Sequence, residues 1–343
     1  MTEKVVAGNA ATPFAGLTPE CMLDAVEALG LPVDGRLQAL NSYENRVWQF
    51  GLEGYAPVVA KFYRPARWTN AQILEEHAFL AEMVEAELPV VAPMRIKGDT
   101  LHKHAGFRFA VFPYQGGRAP EFADPEVLEW MGRLMARVHN AGARRTFEAR
   151  PQINAESFGR EPRDWLLRHH AVPADLEPVW RGVADQALDE VANCYLRAGG
   201  VRLLRLHGDC HAGNVLWTPA AKDGSGGGPH FVDFDDARGG PAVQDLWMLL
   251  SGEAEEMAGQ LQHLLDGYEV FREFDWNEVH LVEALRTLRL LHHAYWLARR
   301  WDDPAFPAAF PWFATPRYWE DRVLELREQI ARMQESALAT RFW

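Results

Sequence analysis

Between residues 281 and 301, Leu281, Leu285, Leu288, Leu291 and Tyr295 recur at helical spacing, with Glu283, Arg286, Arg289, Arg299 and Arg300 between them. That pattern predicts an amphipathic helix packed on a core, not a membrane span. Near the N-terminus, Thr18-Pro19-Glu20 predicts a helix start, with Thr18 as cap and Pro19 in the first turn, running to about Gly30. Short strand-like runs follow over 37–40, 43–50 and 58–63, separated by turn residues. Thr69 and Asn70 predict the start of a helix over 71–88, and two more strands fit 91–96 and 108–112. Beyond Gly116-Gly117 the pattern turns helical: 125–140, 162–170 and 176–198. Two short strands are expected at 215–218 and 230–234, joined by a glycine-rich hairpin tip over 221–228. From Gln244 onward the chain reads as helix, interrupted by a proline- and aromatic-rich stretch over 303–313. The fold class is therefore α+β, a small sheet lobe followed by a large helical lobe, with a cleft between them where small ligands often bind.

Composition narrows the function. The 343 residues are 48% hydrophobic and 24% charged, ordinary for a globular chain. Three cysteines, Cys21, Cys194 and Cys210, lie too far apart for a disulfide framework or a CxxC knuckle, and they favour a reducing cytoplasm. A net charge of -13 argues against nucleic acid or an anionic membrane as partner. Residues 1–30 scatter charges among their apolar positions and predict no signal peptide.

The candidate chemistry lies in Leu206-His207-Gly208-Asp209-Cys210-His211-Ala212-Gly213-Asn214, followed by Phe231-Val232-Asp233-Phe234-Asp235-Asp236. Asp209 precedes Asn214 by five positions, the spacing of a kinase catalytic loop in which the aspartate accepts a hydroxyl proton and the asparagine holds a metal ion. A short apolar strand then delivers Asp233 to the place of a metal-chelating carboxylate. Phosphoryl transfer needs such groups because negative charge accumulates on the phosphates.

HGDxxxxN followed by a strand ending in Val-Asp-Phe resembles the aminoglycoside phosphotransferase-like kinases. The segments 40–47, 59–65, 73–77 and 235–250 extend the likeness to a protein-serine/threonine kinase branch of that family acting in a bacterial stress response. The resemblance implies a bilobal protein-kinase-like fold: an N-terminal lobe over 1–112, a hinge over 113–117 and a helical lobe over 118–343. It implies ATP as co-substrate, Mg2+ as cofactor, and protein serine or threonine as acceptor, the chain itself included, in a cytoplasmic monomer. Lys61 would contact the α/β-phosphates, Glu76 would hold its ammonium with Glu75 as rival, and the backbone of Phe112-Pro113-Tyr114 would receive the adenine. Asp209 and Asp233 would be catalytic, Asn214 and Asp233 would hold the metal, and Asp245 would brace the catalytic loop. No glycine-rich phosphate loop is present. The equivalent turn is Asn41-Ser42-Tyr43-Glu44-Asn45, and Ser42 is expected to take the phosphate contact, with Asn41 and Asn45 next.

Plainer readings stand beside these. An Asp and an Asn five apart often cap a loop, and a lone Lys61 is an ordinary strand-end charge; only the ordered set points to a kinase. His207, Cys210 and His211 could ligate metal, but the loop context favours His207 as a backbone orienter and Cys210 as a packed thiol. Asp235 and Asp236 either help hold metal or cap a turn. His102, His104, His292 and His293 are expected on surfaces and helices, and the tryptophans and 303–313 in lobe packing. A broad, shallow groove is expected beside Asp209. A small-molecule hydroxyl is the rival acceptor, and a nucleotide-binding scaffold without turnover is the non-enzymatic alternative.

Overall fold

Thr18 and Thr69 start their helices by the same device. In the computed structural model, which describes residues 13–219 and 227–335, the Thr18 hydroxyl accepts from the Cys21 amide at 3.2 Å and opens α1, Pro19–Glu27. Thr69 and Gln72 form a reciprocal capping box that opens α2, Asn70–Glu85.

Between and after these helices five strands form one sheet: β1 (Val33–Ala39), β2 (Arg46–Leu52), β3 (Tyr55–Phe62), β4 (His102–His104) and β5 (Phe107–Pro113). Their order is β1-β2-β3-β5-β4, all antiparallel neighbours. β3 is thus central, and Lys61 sits in register with Val47 on β2 and Ala110 on β5. One face of the sheet buries Phe50, Val58, Phe62 and Val111 against Met22 and Val26 of α1. The strand expected at 91–96 does not form. Pro93 has no amide to donate, so this segment is tied irregularly, by Val91 N to Phe231 O and Met94 N to Val111 O, and β4 takes the sheet edge instead.

The helical lobe carries α3 (Pro125–Gly142), α4 (Glu161–Arg168), α5 (Glu177–Ala198), α6 (Val243–Trp247), α7 (Ala254–Tyr268), α8 (Val282–Arg299), α9 (Ala305–Ala309) and α10 (Pro316–Gln334). Two small antiparallel pairs are inserted, β6 (Leu204–Leu206) with β9 (Arg238–Gly240) and β7 (Val215–Thr218) with β8 (Gly228–Phe231). The expected hairpin tip lies mostly outside the described residues. The main core joins these helices and also takes Phe79, Leu80 and Met83 of α2. α2 therefore packs on both lobes. Gly117, at φ +149°, lets the connection after β5 lie on Leu216 of β7, where a Cβ would come 2.9 Å from its backbone. α1 and α2 end earlier than the sequence pattern suggests. Among the described residues no helix is long and apolar enough to cross a membrane.

Candidate active site

β6 ends at Leu206, and the next residues form the loop that carries Asp209. Gly208 has φ +83°, and a Cβ there would run into the Asp236 carbonyl oxygen, so this turn requires glycine. Asp245 on α6 fixes the loop from behind. Its two carboxylate oxygens accept from the amides of His207 (2.9 Å) and Gly208 (2.8 Å), and the buried His139 of α3 lies 3.3 Å away. His207 Nε2 faces the Val232 carbonyl at 2.9 Å and so carries the proton, leaving Nδ1 to accept from the Asp209 amide at 3.3 Å. Cys210 is fully buried against Met135, and burial, with Asp245 and Asp209 nearby, pushes its thiol well above the ordinary range. It is a packed thiol, protonated and shielded.

Asp233 follows β8 with φ 59° and ψ 59°. A non-glycine residue held there costs on the order of 1 kcal/mol, and such strain concentrates at functional sites. Its carboxylate faces Lys61, whose ammonium donates to Asp233 Oδ1 at 2.8 Å and lies 3.1 Å from Asp235 Oδ1. Burial opposes the Lys61 charge, but Asp233, Asp235 and Glu76 together raise its pKa well above the ordinary range. Asp235 also ion-pairs with Arg67 and accepts from Asn45 Nδ2 at 3.1 Å. Burial opposes its charge too, yet Arg67 and Lys61 hold its carboxyl at about 2.

The ion pair expected between Glu76 and Lys61 is not the one these side chains make. Glu76 Oε2 accepts from Arg150 at 2.7 Å, and Arg150 also donates to the carbonyls of Asp235 and Ala237 at 2.9 Å. The physical reason is that the 148–150 loop runs past α2. Glu75 accepts from its amides, and Arg150 is placed between Glu76 and the Asp233 segment. Lys61 then turns to Asp233 and Asp235.

Two adjoining cavities open between the lobes. The inner, of about 280 Å³, is lined by Ser42, Lys61, Glu76, Phe112, Tyr114, Asn214 and Asp233, among apolar walls including Val47, Val59, Leu80 and Leu216. The outer, of about 420 Å³, holds Asp209 and shares Ser42, Asn214 and Asp233 with the inner. Asn214 Nδ2 donates to the Asp209 carbonyl at 2.9 Å. The Ser42 hydroxyl donates to the Asn45 carbonyl at 3.2 Å, inside its own turn. Asp233 and Asn214, which line both cavities, offer a carboxylate and an amide oxygen, hard oxygen donors that suit a small divalent cation with waters and phosphates as its other ligands.

The outer cavity is not the open groove expected. Trp296 of α8 and Phe310 of the 303–313 stretch wall it, with His292 and His293 beside them. His292 stacks on Phe158 at 4.0 Å, and burial drives its pKa well below the ordinary range. The turn over 41–45 closes the cavity from above. Trp296 Nε1 donates to Glu44 Oε2 at 2.6 Å, Arg300 meets the same oxygen at 2.5 Å, and Tyr43 packs edge-on against Phe310. Sequence reasoning missed Arg67, Arg150, Glu44 and Arg289. No local motif marks them, because each gains its meaning from a partner remote in the chain. Arg289 bears directly on the chemistry: its Nη1 donates to Asp209 Oδ1 at 2.6 Å. Burial opposes the Asp209 charge, but His211 and Arg289 keep its carboxyl below the ordinary range.

A two-lobed fold with a basic strand residue, a braced HGD loop and a strand-end aspartate around one cleft defines a phosphotransferase. The chain belongs to the phosphotransferase enzyme family, which it matches over residues 36–282. Among curated relatives, stress response kinase A of Escherichia coli (strain K12) is 44% identical over 330 residues, covering 96% of this chain and 98% of that protein. The serine/threonine protein kinase RdoA of Salmonella typhimurium is 43% identical over 325 residues, covering 95% and 96%. Among solved structures, amicoumacin kinase hAmiN in complex with AMP-PNP, Ca2+ and Ami superposes with TM-score 0.68 at 18% identity, over 92% of this chain and 94% of that one. A microcompartment-associated aminopropanol kinase gives 0.64 at 20% identity, over 89% and 99%. At these identities the two structures speak for the fold alone.

Proposed function

We propose that this phosphotransferase is an ATP- and Mg2+-dependent serine/threonine protein kinase that also phosphorylates itself, in a cytoplasmic stress response. The observation that carries the reading is the junction of the two cavities, where Asp233 and Asn214 line both, with Lys61 on the inner side and Asp209 on the outer. Adenine would lie between the apolar walls of the inner cavity, against the backbone of the connection at Phe112 and Tyr114. Lys61 would hold the α/β-phosphates, and Ser42 would meet the phosphates from the turn above. Asp233 and Asn214 would hold Mg2+, which neutralises charge developing on the phosphates. In the outer cavity Asp209 orients the acceptor hydroxyl. As the hydroxyl oxygen bonds to the γ-phosphorus and the bond to ADP breaks, Asp209 takes the proton. The protein acceptor is supported by the names of relatives that align over nearly the whole chain.

One observation favours a second reading, a small-molecule hydroxyl kinase: the outer cavity is walled by Trp296 and Phe310 and closed by the Glu44 contacts. Labelled Mg·ATP turnover separates the two. The protein-kinase reading expects label in the protein's own serine or threonine, lost in Asp209→Ala, with no stimulation of ADP release by choline, homoserine or an aminoglycoside. A metabolite that stimulates ADP release many-fold and itself becomes phosphorylated would transfer the assignment to the second reading.

A further inference from the structure

Both oxygens of Asp209 already have partners. Arg289 Nη1 donates to Oδ1 at 2.6 Å, and His211 Nε2 lies 3.5 Å from Oδ2. A hydroxyl that yields its proton to Asp209 must come within about 2.6–3.2 Å of one of these oxygens. A carboxylate has about four acceptor sites, so the hydroxyl can approach with the Arg289 contact in place, and it then lies beside the guanidinium. Arg289 is equipped to hold a second carboxylate: its side chain is 40% exposed at the cleft, and a guanidinium carries five N–H donors in a planar fork, of which Asp209 takes one from Nη1.

The other strong charges around the outer cavity are committed. Arg67 is paired with Asp235 and Asp236, Arg238 with Asp236, and Glu44 with Arg300. His293 is pushed down to about 4, by burial and by the nearby Arg289 and Arg322, so it stays neutral. Arg289 is thus the half-exposed cation that stands beside the carboxylate proposed to receive the proton.

We propose that Arg289 selects acceptors that carry a carboxylate beside the reacting hydroxyl. On the protein-kinase reading, on which this rests, the acceptor is a serine or threonine flanked by aspartate or glutamate. The incoming carboxylate takes the guanidinium, with the planar fork allowing two parallel hydrogen bonds. That pairing sets the hydroxyl beside Asp209. A cationic acceptor would meet Arg289 as a like charge. The chain itself contains segments of the required kind. Ser251 is exposed and is followed by Glu253, Glu255 and Glu256.

The test is a positional-scanning serine/threonine peptide library with labelled Mg·ATP, run on the full chain and on Arg289→Gln and Arg289→Lys. The wild type should favour Asp or Glu over Ala in at least one position beside the acceptor by about 10- to 100-fold, the range of a charge-assisted hydrogen bond. In Arg289→Gln the ratio of kcat/KM for the best acidic peptide to that for its alanine counterpart should fall to near unity. Arg289→Lys should retain part of it. A wild type without acidic preference would overturn the proposal, as would an Arg289→Gln variant that slows both peptides equally and keeps their ratio. A wild type that phosphorylates neither peptides nor itself, yet phosphorylates a small hydroxyl compound, would overturn the protein-kinase reading, and this proposal with it.

Discussion

The two cavities of this kinase share five lining residues, Asn41, Ser42, Gly213, Asn214 and Asp233, and otherwise differ in character. The inner one is a slot of aliphatic and aromatic walls with a single buried cation, Lys61, at its end. The outer one is laced with ion pairs, Arg67 with Asp235 and Arg289 with Asp209, and walled by rings from α8 and residue 310. The contrast fits the tasks proposed for them. An adenine-sized ring is bound largely by apolar burial and a few polar contacts. A site where a hydroxyl loses its proton needs charges fixed in advance, since preorganised electrostatics do most of the work of stabilising developing charge. The outer cavity accordingly has its charges held by neighbours before any substrate arrives.

If the division is real, the two aspartates should separate it most sharply. Asp233→Ala should abolish turnover and weaken Mg·ATP binding. Asp209→Ala should lose about 10²–10⁴ in kcat while Mg·ATP affinity is largely kept, because a general base acts mainly in the transition state. Calorimetry and turnover on both variants decide it, and equal loss of affinity would merge the two cavities into one functional unit.

A second experiment acts on what the cavities have in common. α6 carries Asp245, the brace of the catalytic loop, and the amide of Val243 at its start donates to buried Glu278 at 2.8 Å. Burial raises the Glu278 carboxyl to about 7. The folded chain thus binds a proton that the unfolded chain has released above its ordinary value of 4.5. The stabilisation is fully present below that value and is lost as pH rises through about 7, a total of roughly 3 kcal/mol. Glu278→Gln should remove this slope in denaturant titrations between pH 5 and 8. Because the brace serves both cavities, ATP affinity and acceptor turnover should keep their proportion. A pH slope unchanged in the variant would assign it to other groups.

The smallest effect is expected at the shared roof. The Ser42 hydroxyl donates to the Asn45 carbonyl, so it shapes the turn as well as lining the inner cavity. Ser42→Ala should raise the KM for ATP by the worth of one ordinary hydrogen bond, about 0.5–1.5 kcal/mol. Kinetics matching the wild type would pass the role to Asn41. Asn45 is less free to take it, since its side chain is bonded to Asp235 and to the amide of Arg64.

The sequence by itself determined the inner cavity and the order of the fold. Its signals are local: the apolar run over β3, the caps at Thr18 and Thr69, and the HGDxxxxN loop with Asp233 just after the following strand. Local chemistry of this kind is fixed by backbone geometry and short spacing, so it can be read without knowing what packs where. The strand expected at 91–96 failed because a proline interrupts the pairing that its hydrophobic residues suggest. Glu76 lines the inner cavity, yet its partner is Arg150, 74 residues away. Only the tertiary structure could decide that, and it alone brought Arg289 to Asp209 across 80 residues and Trp296 to Glu44 across 252. The physical reason is that a charge announces that it needs a partner but not which one. Every buried ion needs compensation, and with many candidates in the chain the choice is made by which elements the core packs together.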